Sequence, residues 1–348
     1  MKKTITLLAI VAMSFNANAT VHTVSSNPIN AGQYTNVQTC INASTAGDTI
    51  YVTGSPYDYG SITVDRKLTF IGAGYDVTGT QNNLGSEVDN VTLSNNVTYA
   101  TDATGSSFIG LYINGSFNNN SGAYANIYIG RCFMGTYVNV TANGWIIENN
   151  VISSGYGLDF NFTPVTSCLV RNNFINVGIS GQSSSNVQSG LIFDHNIIEG
   201  NLGQFSNAIF SNNIFFYSNI SNWSQINNCT FTNNITASTA SNILPYGTNS
   251  GGGNMNNVTF GSLFVGLISA VQGYPALTTL NWHLLSTCIG HNAGSDGTDV
   301  GIYGGTYAMQ NLTGASSIIP QMTLMNINNV SIPVNGTLNV RFKAKKEQ

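Results

Sequence analysis

Charged side chains are scarce in this sequence, and four residues that could do chemistry gather in one stretch of it. Only 7% of the 348 residues are charged, with 14 Asp and Glu and 10 Lys and Arg. Glu148, Arg171, Asp194 and His195 supply two carboxylates, a guanidinium and an imidazole. Paired carboxylates with a nearby acid or base are what hydrolysis of a glycosidic bond requires. We therefore take these four as the candidate catalytic residues.

A repeated phrase, in which two polar residues lie between apolar ones, contains all four candidates. It occurs at residues 146–152, 169–175, 192–198, 209–215 and, less regularly, 230–235. Its second polar residue is Asn150, Asn173, Asn196, Asn213 and Asn234 in turn, at intervals of 23, 23, 17 and 21 residues. A period near twenty is too short for two packed helices and fits one coil of a solenoid of stacked parallel strands. The sequence therefore predicts an all-β parallel β-helix.

The polar pair is expected to be mainly architectural. Asparagine suits the bend between two strands because its short amide tolerates a left-handed backbone and bonds to its own main chain. Coils stacked about 4.8 Å apart would let equivalent amides bond from coil to coil as a ladder. The apolar residues on both sides of the pair are expected to point into a shared interior.

Alignment of the repeat places the charged candidates in one column just before the bend. The column reads Gly130, Glu148, Arg171, Asp194, Ser211 and Thr232, with His195 in the neighbouring position. Alternating charges on adjacent strands are typical of a stabilising ion-pair ladder, in which each pair contributes a fraction of a kcal/mol. We favour the ladder, and a catalytic or binding cluster stays open as the alternative.

Exposed aromatic rings offer a second route to sugar recognition, because the face of a pyranose stacks on an aromatic side chain. Tyr156, Tyr217 and Trp223 lie in polar or glycine-rich surroundings that are typical of loops, and they are the candidate ligand-binding residues. The alternative is that these rings bind no ligand, because a chain with 16 tyrosines and little charge must expose some of them.

Asp296 and Asp299 form a close acidic pair and are the candidates for a metal site. Calcium takes six to eight oxygen ligands, so a calcium-dependent site needs several converging carboxylates. We expect this pair to fix a turn through main-chain bonds, with cation binding as the alternative. No cofactor is therefore expected, and calcium is the one that stays open.

Composition and the N-terminus limit the partners and the location. A formal net charge of −4 gives no electrostatic footprint for nucleic acid or anionic lipid. Residues 1–19 combine two lysines, a short apolar run and Ala17-Asn18-Ala19, which predicts a signal peptide cleaved after Ala19 and a secreted, periplasmic or cell-surface protein. No membrane span is expected. Apolar neighbours of the five cysteines favour buried thiols over disulfides.

The N-terminal part of the mature chain carries a resemblance to a known family. Apolar residues at 34, 37, 40 and 41 predict a short amphipathic helix that caps the solenoid, and strands are expected at 49–52, 62–64 and 68–71. The order helix, "GDTIYV", Tyr-Gly turn, "SITVDRKLTFIGAG" resembles the opening of pectin-lyase-like right-handed parallel β-helix proteins, especially secreted ones from Bacteroidetes-type bacteria. The resemblance implies a right-handed β-helix, on whose outward face family enzymes carry carboxylates, Arg or Lys, and sometimes calcium.

Residues 282–290 and 296–305 are similar to the closing motif of the same family, usually "SPaIG" followed by "DGtDiGayGG". This chain departs from it with Thr287-Cys288 at the Ser-Pro position. Further on, alternating apolar residues around Asn335-Gly336 predict a C-terminal β-hairpin. We therefore expect a signal peptide at 1–19, a β-helix with its N-terminal cap at 20–305, and a hairpin extension at 306–348.

A parallel β-helix with this composition can be compared with three functions from different classes. The first is a non-catalytic β-helix that binds a polysaccharide or cell-surface glycan, or serves as a structural surface module. The second is a polysaccharide lyase or glycoside hydrolase centred on the charged column. The third, ice binding, requires flat arrays of threonine, and the threonines here are not in register. The shortage of clustered charge favours the first function.

Overall fold

The computed structural model describes most of the chain between Ala19 and Lys345. The described residues are 19–28, 31–75, 84–120, 122–153, 157–160, 164–181, 189–216, 226–237, 243–266, 280–310, 314, 321–327 and 340–345. Their architecture is the predicted right-handed parallel β-helix, with a short N-terminal helix and an antiparallel C-terminal strand pair. Almost all of the predicted signal peptide lies outside these residues, and the division into three parts stays a prediction.

Three parallel sheets form the walls of the solenoid within the described residues. Sheet 1 contains Val21–Val24, Thr49–Val52, Thr69–Gly72, Ser107–Ile109, Tyr128–Gly130, Ile146–Glu148, Leu169–Arg171, Ile192–Asp194, Ile209–Ser211, Thr230–Thr232 and Ser250–Gly252. Sheet 2 contains Glu87–Val88, Tyr112–Ile113, Phe133–Met134, Val151–Ile152, Phe174–Ile175, Ile197–Ile198, Ile214–Phe216, Ile235–Ala237 and Met255–Val258. Sheet 3 contains Ile62–Val64, Val91–Leu93, Phe117–Asn119, Tyr137–Asn139, Gly157–Asp159, Ile179–Ser180 and Leu202–Gly203.

The asparagine pair makes the bend between sheets 1 and 2, as the sequence predicts. The first residue of each pair has a left-handed backbone, with φ of 56° at Asn149, 52° at Asn172 and 53° at His195. The second residue points inward and is buried. Asn173 shows the pattern: its main-chain N–H and its side-chain amide both donate to Oδ1 of Asn196, at 2.9 and 3.0 Å.

The predicted amide ladder is confirmed along six coils. Each amide also donates to a main-chain carbonyl on the coil before it, as Asn173 does to Ile147 at 2.8 Å. The side-chain amide of each asparagine donates to Oδ1 of the asparagine on the next coil. These bonds connect, in order, Asn150, Asn173, Asn196, Asn213, Asn234 and Asn254. Buried amides are costly without partners, so this continuous bonding explains why asparagine fills the corner.

The interior is packed by one apolar cluster, in which aromatic rings stack along sheet 1. Phe193 and Phe210 stack at 4.7 Å between ring centroids, and Phe210 and Phe231 at 4.9 Å. All five cysteines are free and buried, as predicted, and burial raises the pKa of Cys132 to about 12. The thiols therefore serve as small core side chains.

The prediction that every apolar residue beside the asparagine pair points inward is wrong for sheet 2. Ile175 and Ile198 pack in the interior, whereas their neighbours Phe174 and Ile197 point outward and belong to a second buried cluster. This second cluster is covered by residues 280–310, which we call the closing segment. Its apolar side chains are Trp282, Leu284, Val300, Ile302 and Met309. The closing segment thus folds back along the outside of sheet 2.

The remaining elements lie at the ends and edges of the solenoid. The cap helix Val37–Ala43 buries Val37, Cys40 and Ile41, and Oδ1 of Asn36 accepts the N–H of Thr39 at its N-terminus. A 3-10 turn covers Phe260–Ser262. Two antiparallel pairs leave the solenoid, Asn95–Asn96 with Thr101–Asp102 and Gln321–Ile327 with Val340–Lys345. The second pair is the predicted hairpin, whose Asn335-Gly336 turn lies outside the described residues. Within the described part of the chain, no helix is long and apolar enough to cross a membrane.

Candidate functional site

The structure brings the charged column together as the sequence predicts. The residues pair in order across neighbouring strands of sheet 1: Gly130 with Glu148, Glu148 with Arg171, Arg171 with Asp194, Asp194 with Ser211, and Ser211 with Thr232. Because inward and outward positions alternate along a strand, the inward Ile147, Val170 and Phe193 place this column on the outer face of sheet 1.

Glu148 is held by two neighbours, one on each of its oxygens. The hydroxyl of Tyr128 donates to Oε1 at 2.5 Å, and Nε of Arg171 donates to Oε2 at 2.7 Å. Glu148 is only 8% exposed. Burial, and then the hydrogen bond to Glu148, raise the pKa of Tyr128 well above its usual value, so this phenol stays protonated. The carboxylate is therefore a structural acceptor with little freedom to act as a base.

Arg171 has a second partner that the sequence does not predict. Its guanidinium carbon lies 3.2 Å from the centroid of the Tyr307 ring, in a cation–π contact. Tyr307 belongs to the closing segment and is 48% exposed. The guanidinium is thus shared between a carboxylate of sheet 1 and an aromatic ring of the closing segment.

Asp194 is bound by polar groups from its own coil and the next. Its Oδ1 accepts hydrogen bonds from the Ser211 hydroxyl at 2.6 Å and the Asn212 amide at 2.9 Å, while its Oδ2 lies 3.0 Å from Nδ1 of His195. Burial alone would raise the pKa of this carboxyl, but the contacts from His195 and Ser211 outweigh it and lower the pKa below the usual aspartate value. Asp194 is therefore an anion at neutral pH.

His195 is buried at the bend, at 1% exposure, and it links the column to the closing segment. Its Nδ1 lies 3.0 Å from Oδ2 of Asp194. Its Nε2 lies 3.4 Å from Oγ1 of Thr298 and 3.7 Å from Oδ2 of Asp296. The ring is therefore enclosed between the column and the closing segment.

The other polar residues of the corner bind the closing segment in the same way. Asn172 donates to the carbonyls of Ile302 and Gly304, at 3.0 and 2.8 Å. Asn212 accepts the main-chain N–H of Ser295 at 2.8 Å. The left-handed position of four successive coils, occupied by Asn172, His195, Asn212 and Asn233, therefore presents a side chain that contacts the closing segment.

Asp296 and Asp299 both fix turns of the closing segment. Oδ1 of Asp296 accepts the main-chain N–H and the hydroxyl of Thr298, at 3.0 and 2.7 Å. Oδ1 of Asp299 accepts the N–H of Asn292 and contacts His291, both at 2.8 Å. Among the described residues, no group of three or more His, Cys, Asp and Glu side chains is placed to hold a metal ion.

The aromatic candidates Tyr156, Tyr217 and Trp223 lie outside the described residues, so their role stays a prediction. Reasoning from the sequence missed Tyr128 and Tyr307, which contact the column from the same sheet and from the closing segment. For Tyr128 a signal exists, because it stands two residues before Gly130 and therefore on the same face. For Tyr307 the sequence holds no such signal, since its contact depends on where the closing segment folds.

A stripe of apolar residues runs beside the charged column on the same outer face. It consists of Tyr128, Ile146, Leu169, Ile192 and Ile209, which pair in order across sheet 1. Ile192 and Ile209 are 38% and 42% exposed. This stripe and the charged column together make up the outer face of sheet 1, on which Tyr307 packs against Arg171.

Comparisons with known proteins assign neither a family nor an activity to this chain. No family model and no curated protein matches the chain. A solved structure that resembles it is the crystal structure of an alginate lyase from Paenibacillus sp. str. FPU-7, at 15% identity and a TM-score of 0.36, covering 69% of this chain and 96% of that chain. A similarity this low does not transfer an activity.

Proposed function

We propose that this chain is an exported, non-catalytic β-helix protein that binds a polysaccharide or a cell-surface glycan. The observation that carries the proposal is the half-exposed ring of Tyr307, which packs on Arg171 in the column that runs next to the exposed Ile192 and Ile209. Aromatic and aliphatic side chains next to polar groups are typical of surfaces that take the apolar face of a sugar and its hydroxyls.

The geometry of the solenoid supports a linear glycan as the partner. Equivalent residues of successive coils stand about 4.8 Å apart, a rise similar to the length of one sugar ring. A chain running along the axis could therefore meet one aliphatic side chain and one polar side chain per coil. Ser211 and Thr232 continue the polar column with neutral hydroxyls, which suits hydrogen bonding to sugars.

The state of the charged groups supports binding without catalysis. Both oxygens of Glu148 are occupied by Tyr128 and Arg171, and both oxygens of Asp194 have close partners. His195 is buried under the closing segment. No carboxylate of the column is left unpartnered, whereas hydrolysis needs an accessible acid and an accessible base.

The alternative function is a polysaccharide lyase or glycoside hydrolase that uses the same column. Asp194 is the observation in its favour, because its side chain is 30% exposed and is ionised at neutral pH. A catalytic role would require Asp194 to leave its bonds to Ser211 and Asn212 for a substrate. Release of sugars by the purified protein distinguishes this function from binding.

The binding proposal is tested by electrophoresis of the protein through gels that contain neutral or acidic polysaccharides. We expect at least one polysaccharide to retard the wild type, and the Tyr307→Ala variant to lose most of this retardation. Tyr57→Ala is the matched control, because Tyr57 is also exposed, at 66%, and lies outside the outer face of sheet 1. Equal retardation of all three proteins would place the binding elsewhere, and no retardation by any polysaccharide would contradict the proposal.

Export is tested separately, by N-terminal sequencing of the protein recovered outside the cytoplasm of an expressing bacterium. Cleavage after Ala19 predicts a mature chain that begins at Thr20. Recovery of the chain only in the cytoplasm, with Met1 intact, would contradict export.

A further inference from the structure

A pocket of about 370 Å³ lies beside the N-terminal cap helix, and the residues that line it are far in sequence from the charged column. Its walls include Asn42, Ser44, Thr45, Arg66, Tyr99 and Thr101. The volume lies at the lower end of the range of about 300–1,000 Å³ that is typical of small-molecule sites. The pocket is therefore large enough for one or two sugar rings and not for a longer segment of a polymer.

One wall of the pocket is a small hairpin that leaves the solenoid, formed by Asn95–Asn96 and Thr101–Asp102. Its turn carries Val97 and Tyr99, which are 86% and 70% exposed. Tyr99 also lines the pocket, so its exposed ring borders the cavity. Tyr99 therefore offers a free aromatic face at the rim of the pocket.

Asp65 anchors the hairpin to the solenoid through its side chain and its main chain. The amide of Asn96 donates to Oδ2 of Asp65 at 2.6 Å, and the hydroxyl of Thr101 donates to its main-chain carbonyl at 3.0 Å. The N–H groups of Thr98 and Tyr99 are bound by Oδ1 of Asn96. These bonds fix the backbone that carries Tyr99, so its ring is presented from a preorganised turn.

Arg66 is the charged residue among those that line the pocket, and its charge is already compensated. Its Nε and Nη2 donate to Asp65 at 2.8 and 3.3 Å, and its Nη1 donates to the carbonyl of Ser44 at 2.6 Å. Burial would raise the pKa of Asp65, but hydrogen bonds from Arg66 and Asn96 outweigh it and keep the pKa below the usual value. A carboxylate on a ligand would therefore gain little binding energy from Arg66. Sugar hydroxyls could still accept hydrogen bonds from its two remaining guanidinium N–H groups.

We infer that this pocket binds a neutral sugar residue, with one ring face against Tyr99 and its hydroxyls toward Arg66, Asn42 and Thr45. Asn42 and Thr45 are exposed polar side chains at the end of the cap helix. Because the pocket takes only one or two rings, it suits the end or a branch of a glycan, unlike the extended outer face of sheet 1. This site goes beyond the proposed function and does not depend on it.

The test is calorimetric titration of the full mature chain with methyl glucoside, methyl galactoside, methyl mannoside, N-acetylglucosamine and galacturonate. We expect saturable binding of at least one neutral sugar, and a loss of affinity of about tenfold or more in Tyr99→Ala, as expected for removal of a stacking aromatic ring. Tyr57→Ala is the matched control and should keep the wild-type affinity. Thermal unfolding of each variant checks that it is folded.

Three results would overturn the inference. They are no saturable binding of any neutral sugar, tighter binding of galacturonate than of every neutral sugar, and an affinity that Tyr99→Ala leaves unchanged. Tyr307→Ala separates this inference from the proposed function, since it should weaken retardation by polysaccharides while leaving the binding of single sugars intact.

Discussion

The guanidinium of Arg171 lies 3.2 Å from the ring centroid of Tyr307, which joins a central coil of the solenoid to the end of the closing segment. The same guanidinium is paired with Glu148. Charge pairing within sheet 1 and docking of the closing segment therefore use one side chain. The column therefore contains the ion pair Glu148–Arg171, whereas Asp194 bonds to Ser211 and Asn212 in place of Arg171, and the same column is a docking point for the closing segment.

Pairing within the column is expected to be measurable as a coupling energy. Arg171→Ala leaves Glu148, at 8% exposure, with Tyr128 as its remaining partner, and we expect a loss of about 1–2 kcal/mol in the free energy of unfolding. Glu148→Gln should cost a similar amount, and the double variant less than the sum. Additive losses in denaturant titrations would show that the pair does not interact.

The asparagine ladder is expected to carry more stability than any exposed polar group. Asn173→Ala removes a fully buried amide that bonds to Asn196 and Ile147 and that accepts from Asn150. Leaving these partners unsatisfied should cost about 3 kcal/mol. Asn114→Ala is the control, because Asn114 is exposed, and its change should stay within about 0.5 kcal/mol. Equal losses in chemical unfolding would contradict the ladder.

The stability of the protein should fall in acid, and Asp194 should contribute to that fall. Its pKa in the folded state is below the unfolded value of about 3.9. Its contribution is therefore present above the unfolded pKa and is lost as the pH falls through the folded pKa. Asp194→Asn should be less stable than the wild type at pH 7 and should lose less stability between about pH 5 and pH 2. Parallel curves for the two proteins would show that Asp194 makes no such contribution.

Docking of the closing segment depends on close packing at Gly304. A Cβ added there would lie 1.6 Å from the carbonyl oxygen of Asp299 and 2.6 Å from Cδ2 of His195. Gly304→Ala should therefore loosen the closing segment, expose the outward side chains of sheet 2 and increase the fluorescence of an apolar dye. Gly203→Ala is the control, since nothing lies within 4 Å of its added Cβ. A similar response of both variants would argue against docking.

The solenoid and its corner were predictable because the signal is local and repeated. Each coil supplies its own asparagine and its own strand, so the interval between Asn150 and Asn173 is enough to place Glu148 beside Arg171. The packing of the closing segment against sheet 2 was not predicted, because its partners are far away in sequence. A signal was available: Phe174-Ile175 and Ile197-Ile198 are adjacent apolar residues in single strands, which requires two covered faces.

The candidate sites show the same limit. The register of Glu148, Arg171 and Asp194 followed from the repeat. Whether the polar groups of this corner are accessible to a ligand depends on Tyr307 and Thr298, which belong to the closing segment. The pocket at Tyr99 depends on a hairpin that falls outside the repeat. Spacing predicts which residues share a face, and it does not predict what covers that face.

The measurement that tests the proposed function most directly is incubation of the purified protein with a panel of neutral and acidic polysaccharides, with bound protein and released sugars measured in the same samples. We predict binding to at least one polysaccharide, weakened by Tyr307→Ala and unaffected by a metal chelator, with no reducing ends and no unsaturated products released. Release of either product by the wild type, abolished in Asp194→Asn or Arg171→Ala, would contradict a non-catalytic protein and establish the column as an active site.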